Sequence, residues 1–511
     1  MKKTCSNAVD FVLVVPCQEI SNFAVQIIES YLKKEGFEVV ILFFKERRQQ
    51  ESECTENEIS LLVDFIKKVS PRLVGFTVMS PFFNISKTLT KRVKMEIDIP
   101  IIWGGVHATI NPDECINISD ICCIGEGEEP LRQILEHLRV GGEINGSIPN
   151  CWINKNGAVV KNTETYMCND LDTLPYPVLT GNGKYIIKDN QIINEDPYLS
   201  YIKRTGKYAF KAFRGCPMNC TYCGNKSIRE AYGSSGNYIR KRSVDNVIGE
   251  LKEVVKTISN IKTIASYDEV FINNRMFVQE FSAKYKKDIH IPLTCSSIVT
   301  VLTEENVQMM ADAGLVGINV GVEAFSEEIR EKVYKRKMSN KRIIEKARML
   351  HKYGIYIVYD FIYDCPLETE KDIEDCFWKL IINLPRPAQF NKYSLSNLPK
   401  TELTNYLLKE GYIESKDVVG ESDKGLVQWK VGRNYGRNNN IWFWIILYDL
   451  FGWQVKSNNH SCIIPLFIIK MIACTKNYVF VKIVQKAIVV ITSLIERTFW
   501  ERMKAKIRTE V

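Results

Sequence analysis

Three cysteines in one short loop are the residues of this chain best placed to do chemistry. Residues 213–224 read FRGCPMNCTYCG, so Cys216, Cys220 and Cys223 are separated by three and then two residues. Thiolates at that spacing can wrap three corners of an iron–sulfur cubane, which leaves the fourth iron without a protein ligand and open to a substrate. A tetrahedral zinc ion wants four ligands, and no second Cys or His pair stands nearby at finger-like spacing. A ferredoxin would supply a fourth cysteine and would be far smaller. A purely structural role for three cysteines in a Gly/Asn-rich loop is the remaining alternative. The chain has sixteen cysteines in all, and most of the others, such as Cys17, Cys122, Cys123 and Cys462, sit in apolar runs where a small buried hydrophobe suffices.

The elements that must position this loop follow from hydrophobic periodicity. From Tyr208 to about Asn397, apolar strand-like runs (208–213, 261–266, 291–295, 316–322, 355–362, 389–394) alternate with helical stretches (245–257, 275–286, 304–312, 340–352, 370–382). Six β/α units suit an incomplete barrel whose chemistry sits at its C-terminal rim, and the cysteine loop directly follows the first strand. The first 140 residues alternate too, with strands at 11–15, 39–43, 73–78, 101–103 and 121–124 and helices at 23–34, 59–69, 85–95 and 129–138. Such alternation gives a parallel, doubly wound sheet that binds ligands beyond the C-terminal ends of its strands. The loops that matter there are 16–22, 80–84, 104–112 and 125–129, and glycines concentrate in the last two, as Gly104, Gly105, Gly125 and Gly127.

Four segments are expected: an α/β domain over 1–147, a Pro/Gly/Asn-rich linker over 148–205, a partial barrel over 206–400 and a mostly helical region over 401–511. The composition, 45% hydrophobic and 25% charged, is that of a folded chain. No secretory signal is read at residues 1–10, so a cytoplasmic, reduced setting with free thiols is expected. The net charge of +8 is uneven: residues 441–511 carry seven Lys and three Arg against one Asp and three Glu. That basic, apolar tail either caps another domain or lies on an anionic membrane surface, and capping is preferred. No nucleic-acid partner is expected.

The cysteine loop, with Tyr222 before its last thiol, resembles that of radical S-adenosylmethionine (SAM) enzymes. The resemblance implies a [4Fe–4S] cluster on Cys216, Cys220 and Cys223, with SAM chelating the open iron and releasing a 5′-deoxyadenosyl radical once an external flavodoxin- or ferredoxin-type donor reduces the cluster. Other rim segments match in order. VGVEAFSEEIRE (320–331) resembles the fourth-strand segment and implies that Glu323 meets SAM; Arg336 follows close by. YDFIYDCPLETE (359–370) resembles the segment that supports adenine and points to Glu368, with Asp364 in place of the usual glycine. YDEVF (267–271) resembles the second-strand segment and points to Asp268. Taken alone, Asp268 and Glu323 read as solvated or capping acids and Arg336 as an exposed helix arginine.

IIWGGVHATINPDE and CCIGEGEEPL resemble the Rossmann-like cobalamin-binding domain that precedes the barrel in one branch of that superfamily, over about residues 9–138. The resemblance implies cobalamin contacts from Ser80, Gly104, Gly105, His107, Gly125, Glu126 and Gly127. A histidine capping its own turn is an equal reading of His107. Residues 15–22, VPCQEISN, lack the DxHxxG that supplies a cobalt-ligating histidine, so any cobalamin is expected to go without one from this loop. The implied activity is methyl transfer from cobalamin to an unactivated carbon of a small-molecule, lipid or peptide substrate. Cyclisation, rearrangement or oxidation without methyl transfer is the alternative within enzymes, and an iron–sulfur sensor or electron carrier the alternative outside them.

Overall fold

The computed structural model describes residues 9–16, 22–45, 54–144, 146–179, 183–233, 237–420, 439–452, 454–457, 460–464 and 466–487. The chain divides into two compact units. One comprises the described residues of Met1–Phe271, Ala283–Leu293 and Ser396–Val431; the other those of Ile272–Ser282, Thr294–Leu395 and Gly432–Val511.

In the first unit, β1 (Phe11–Val15), β2 (Val39–Phe43), β3 (Leu73–Thr77), β4 (Ile101–Gly104) and β5 (Ile121–Cys123) are parallel, in the order β5-β4-β3-β1-β2. Both faces of β1 and β2 are buried, as the continuous apolar runs FVLVV and VVILF require. Val12, Val14, Val40 and Leu42 pack with Ile59, Leu62 and Ile66 of α2 (Glu56–Val69) and Leu89 and Val93 of α3 (Phe83–Glu96). Their alternates Leu13, Val15, Ile41 and Phe43 pack with Val25 and Leu32 of α1 (Phe23–Lys34) and Leu131, Ile134 and Leu135 of α6 (Glu128–Arg139). Each fully buried aliphatic side chain contributes roughly 1.5–3 kcal/mol, so two full layers hold this sheet between its helices. Two short helices, α4 (Val106–Ile110) and α5 (Pro112–Cys115), follow β4.

Residues 148–205, expected as a linker, instead supply four strands to the edges of this sheet. The hairpin of β6 (Cys151–Lys155) and β7 (Ala158–Lys161) adds antiparallel to β5, and β8 (Lys184–Lys188), in hairpin with β9 (Gln191–Asn194), adds parallel to β2. The turns explain why four- and five-residue strands suffice: Asn156 and Gly157, and Asp189 and Asn190, all have positive φ, the tight hairpin conformation that matches strand twist. A helix, α7 (Pro197–Thr205), capped by Asp196, then leads into the second sheet.

That sheet has six strands in chain order, β10 (Lys207–Phe210), β13 (Thr263–Ser266), β14 (Leu293–Ser297), β15 (Leu315–Glu323), β16 (Tyr356–Tyr363) and β17 (Ala388–Ser394), the six expected from sequence. The two-residue strands β11 (Phe213–Arg214) and β12 (Arg240–Lys241) pair antiparallel on either side of the cysteine loop and of α8 (Gly224–Ala231). The helices between strands are α9 (Val244–Thr257), α10 (Arg275–Asp288), α11 (Glu304–Asp312), α12 (Asn340–Lys352) and α13 (Glu370–Lys379). Side chains of Ser243, Thr303, Ser339 and Thr369 cap the first, third, fourth and fifth of these.

After α14 (Glu402–Lys409), the tail contributes α15 (Asn439–Gly452) to the second unit. Trp444 and Tyr448 are fully buried, 5.4 and 6.0 Å from the Phe377 ring of α13, and Phe451 lies 6.4 Å from Phe390 of β17. This half of the apolar tail therefore caps its own unit. A hairpin of β18 (Gln454–Ser457) and β19 (His460–Ile463) leads to α16 (Leu466–Thr475), on which Phe467 and Met471 are exposed. Residues 488–511, with much of the basic charge, lie outside the described residues. No described helix is long and apolar enough to cross a membrane.

Candidate active site

The first sheet reverses strand order between β3 and β1, so ligand binding is expected just beyond the C-terminal ends of β1, β3, β4 and β5. A cavity of about 500 Å³ opens there. It is lined by Thr77, Gly104, Gly105, Gly125, Glu126 and Gly127 from the first sheet's loops, and by Phe213, Arg214 and Gly215, which lead into Cys216. The volume is within the usual range of small-molecule sites. Two of the glycines are demanded by the protein itself. Gly105 has φ +99, and a Cβ would stand 2.9 Å from the Val78 carbonyl; at Gly125, φ +89, it would collide with the Tyr232 hydroxyl.

Ser80 and His107, the other expected contacts, are not among the lining residues. They meet each other: His107 Nδ1 lies 3.0 Å from Ser80 Oγ, its ring packs 4.7 Å from Phe83, and Nε2 is 3.8 Å from Glu114. With 1% exposure, His107 is buried, and its bond to Ser80 ties α4 to the short helical turn after β3. None of the described histidines lines the cavity. Residues 17–21 of the loop read as lacking a cobalt ligand lie outside the described residues.

The cysteine loop hangs from two backbone devices. Gly215, φ +89, makes the turn after β11, where a Cβ would sit 2.5 Å from the Tyr238 carbonyl oxygen. Asp268 is buried, and its carboxylate accepts from the N–H of Ala212 (3.0 Å) and Phe213 (2.8 Å) and from Ser266 Oγ (2.8 Å). Burial pushes its carboxyl up to about 6 against the pull of Lys211 and of these hydrogen bonds. Asp268 is therefore fully occupied in bracing the chain that enters the loop. Cys216 and Cys220 are buried and Cys223, at the start of α8, is half-buried; Tyr222 beside it is half-buried too. Burial raises the Cys216 thiol to about 11 and raises Cys223 as well. No three His, Cys, Asp or Glu side chains among the described residues converge as they would on a single metal ion. A cubane asks for something different, one thiolate on each of three irons, and three thiols outside any disulfide on one braced loop fit that demand. Replacing Asp268 by Ala should strand two buried N–H groups at about 1–3 kcal/mol each. Iron content after anaerobic reconstitution checks this: D268A should lose most of its iron, whereas D268N, which keeps an acceptor oxygen, should retain it.

Glu126, expected to contact a ligand, is engaged by protein. Oε1 lies 3.0 Å from Arg214 Nη1 and 2.7 Å from Arg240 Nη2, while Oε2 lies 3.1 Å from Arg240 Nη1 and accepts from the Cys168 N–H at 2.8 Å. Glu128 takes the other side of Arg214 at 2.5 Å. Burial alone would raise the Glu126 carboxyl, but Arg214 and Arg240 outweigh it and hold the group below the usual carboxylate range. Neither arginine was singled out in the sequence, although Arg214 stands inside the FRGCP motif.

The remaining expected SAM contacts belong to the second unit. Glu323 ends β15 at φ +74, beside a bulge in the β15–β16 register, and its carboxylate is 3.6 Å from Arg336 Nη1. Arg336 also donates to the Gly321 carbonyl at 3.0 Å. The structure thus brings these two together, with Arg336 buried rather than exposed. Asp364, in the position usual for glycine, has φ +70 and is held by Ser394 Oγ at 2.6 Å; an Asp tolerates this left-handed conformation better than most residues. Glu368 is buried and accepts from the Ser326 N–H at 2.7 Å. Burial pushes it up to about 8, against the pull of that bond.

The B12 binding domain family matches residues 9–135, and the Radical SAM superfamily matches residues 210–377. A hopanoid C-2 methylase of Rhodopseudomonas palustris (strain TIE-1) is 22% identical over 349 residues, 66% of this chain and 58% of that protein, so the match spans less than two thirds of the methylase. Among solved structures, the radical S-adenosylmethionine methyltransferase TsrM from Kitasatospora setae, with tryptophan substrate and a SAM analog bound, superposes with a TM-score of 0.60 at 18% identity, covering 78% of this chain and 76% of that one. The cobalamin-dependent S-adenosylmethionine radical enzyme OxsB, with aqua-cobalamin bound, gives a TM-score of 0.56 at 18% identity over 79% of this chain and 56% of that one. At these identities the likeness to the two structures is one of fold. With both models matched in order, the chain carries a B12 binding domain over residues 9–135 ahead of a Radical SAM superfamily domain over residues 210–377.

Proposed function

We propose that this enzyme methylates a carbon of a small substrate, with Cys216, Cys220 and Cys223 holding the [4Fe–4S] cluster and the glycine-lined cavity holding cobalamin. The observation that carries the reading is that Gly104, Gly105, Gly125 and Gly127 line one cavity together with the three residues that lead into Cys216. When bound, the cluster supplies the electron that opens SAM and cobalamin carries the methyl group. The chain's own contribution is placement: Asp268 fixes the strand entering the cysteine loop, and Arg336 fixes the Glu323 carboxylate at the end of β15. Tyr222, Glu323, Arg336 and Glu368 remain the residues proposed to hold SAM, and residues 1–147 and 206–400 the two functional segments.

The second unit adds a polar row and a buried apolar cap. Asp360 of β16 stands in register with Asn391 of β17, whose Nδ2 donates to Asp360 Oδ1 at 2.8 Å, and Gln389 Nε2 donates to Asn391 Oδ1 at 2.9 Å. Burial raises the Asp360 carboxyl while Asn391 and Asn319 hold it down. The buried half of the tail, with Trp444 and Tyr448 packed on Phe377, removes much of the case for a membrane-proximal substrate.

The test uses reconstituted protein given hydroxocobalamin, SAM, a low-potential reductant and candidate substrates. Cobalamin-dependent formation of S-adenosylhomocysteine beside 5′-deoxyadenosine is expected, because methyl transfer consumes SAM in two ways. 5′-Deoxyadenosine alone would favour cyclisation, rearrangement or oxidation. Since none of the described histidines lines the cavity, the cob(II)alamin EPR signal of the same sample should lack nitrogen splitting from a protein imidazole.

A further inference from the structure

Glu126 and Glu128 flank Gly127 in the turn from β5 into α6, a turn that forms one wall of the cavity. Arg214 is the last residue of β11, with only Gly215 between it and Cys216, and Arg240 stands opposite it in the β11–β12 register. Two arginines directly opposed on neighbouring strands repel. Here the Glu126 carboxylate lies between them, with Glu128 closing the far side of Arg214. The four side chains are charge-balanced and largely buried: Glu126 11%, Glu128 4%, Arg240 5% and Arg214 24% exposed.

A carboxylate has about four lone-pair positions in its plane. Those of Glu126 are taken by Arg214, by both Arg240 nitrogens and by the Cys168 N–H, so none is left for a ligand. Arg240 completes the tie by donating to the Cys168 carbonyl at 2.8 Å. The connection runs from the glycine loop of the cavity to the residue that sets the start of the cysteine loop, and the sharp turn at Gly215 passes any movement of Arg214 on to Cys216.

We infer that Glu126, Arg214 and Arg240 act as positioning residues, a buried strut that fixes the cobalamin cavity's glycine loop against the loop that holds the cluster. This rests on the proposed reading of the cavity and the cysteines. The chemistry needs it, because the methyl source and the radical source must address the same substrate carbon, and a misplacement of about 1 Å can cost about 100-fold in rate.

The experiment compares wild type with E126Q, R214K and R240K, and with E129Q as a control outside the strut. Two readouts are taken on each protein: hydroxocobalamin affinity by absorbance titration, and the EPR spectrum of the reduced cluster with SAM added. Each strut variant should weaken cobalamin by about 10- to 100-fold, as loss of a supporting residue typically does, and should also shift the cluster spectrum. E129Q should change neither. If E126Q does not fold by circular dichroism, R240K, which keeps its charge and loses only the fork, carries the same pair of readouts. Weakened cobalamin in E126Q with an unaltered cluster spectrum, and with R214K and R240K unaffected, would make Glu126 a local contact and overturn the strut. Unchanged readouts in all three variants would overturn it as well, while leaving the proposed function standing. Wild type that holds neither cobalamin nor a SAM-responsive cluster would sink both.

Discussion

Anaerobically reconstituted wild-type protein is expected to hold about four irons per chain and, once reduced, to cleave SAM to 5′-deoxyadenosine. Replacing Cys216, Cys220 or Cys223 by Ala should bring cleavage below detection. The size of the effect follows from the geometry of a cubane, in which each thiolate holds a different iron and no fourth protein ligand stands in reserve. Removing one thiol leaves two irons open on a loop that offers no substitute, since no other Cys or His lies in residues 213–224. Cys122 provides the contrast. It is fully buried in the first sheet, and its sulfur lies 3.7 Å from the Ala108 carbonyl, so C122A should retain both iron and cleavage. Production of 5′-deoxyadenosine by the triple alanine variant would refute the cluster assignment.

What the sequence disclosed and what it concealed divide along physical lines. β1 and β2, apolar at every position, and the helices with a 3.6-residue stripe were legible to within a few residues, because two buried faces leave no ambiguity of period. The strands of residues 148–205 were not. β7 and β9 lie at the sheet's edges with most side chains at least partly exposed, so they carry little hydrophobic signal. Their turn residues, Asn156 with Gly157 and Asp189 with Asn190, were the available clue.

At the site, spacing revealed the thiols, since all three lie in one loop. The partners of Glu126 lie 88 and 114 residues away, and no local pattern announces such pairs. Ser80 and His107 are a different case. Both follow strands of the first sheet, where ligand contacts are expected, yet they turn to each other and leave the cavity to the glycines.

Burial carries the Glu368 carboxyl well above its ordinary pKa, and this implies a measurable dependence of stability on pH. Its ordinary value of 4.5 becomes about 8 in the folded protein because burial disfavours the charged form, with Arg330 and Asp372 as nearby charged groups. The folded state therefore keeps its proton up to about pH 8, while the unfolded chain releases it above about 4.5. Stability from this group is complete below pH 4.5, falls steadily from there to pH 8, and is lost above it. Because a tenfold change in proton affinity corresponds to about 1.4 kcal/mol, the loss is on the order of a few kcal/mol. Asp268, raised to about 6, adds a smaller decline of the same sign at lower pH. E368Q, which keeps an acceptor oxygen for the Ser326 N–H and cannot ionise, should melt close to wild type at pH 5 and several degrees above it at pH 8.5. Thermal melts of cluster-loaded protein, followed anaerobically by circular dichroism across that range, measure the difference. Parallel profiles for wild type and E368Q would show that Glu368 is already ionised in the folded enzyme, and that its carboxylate is available to a ligand as a charge.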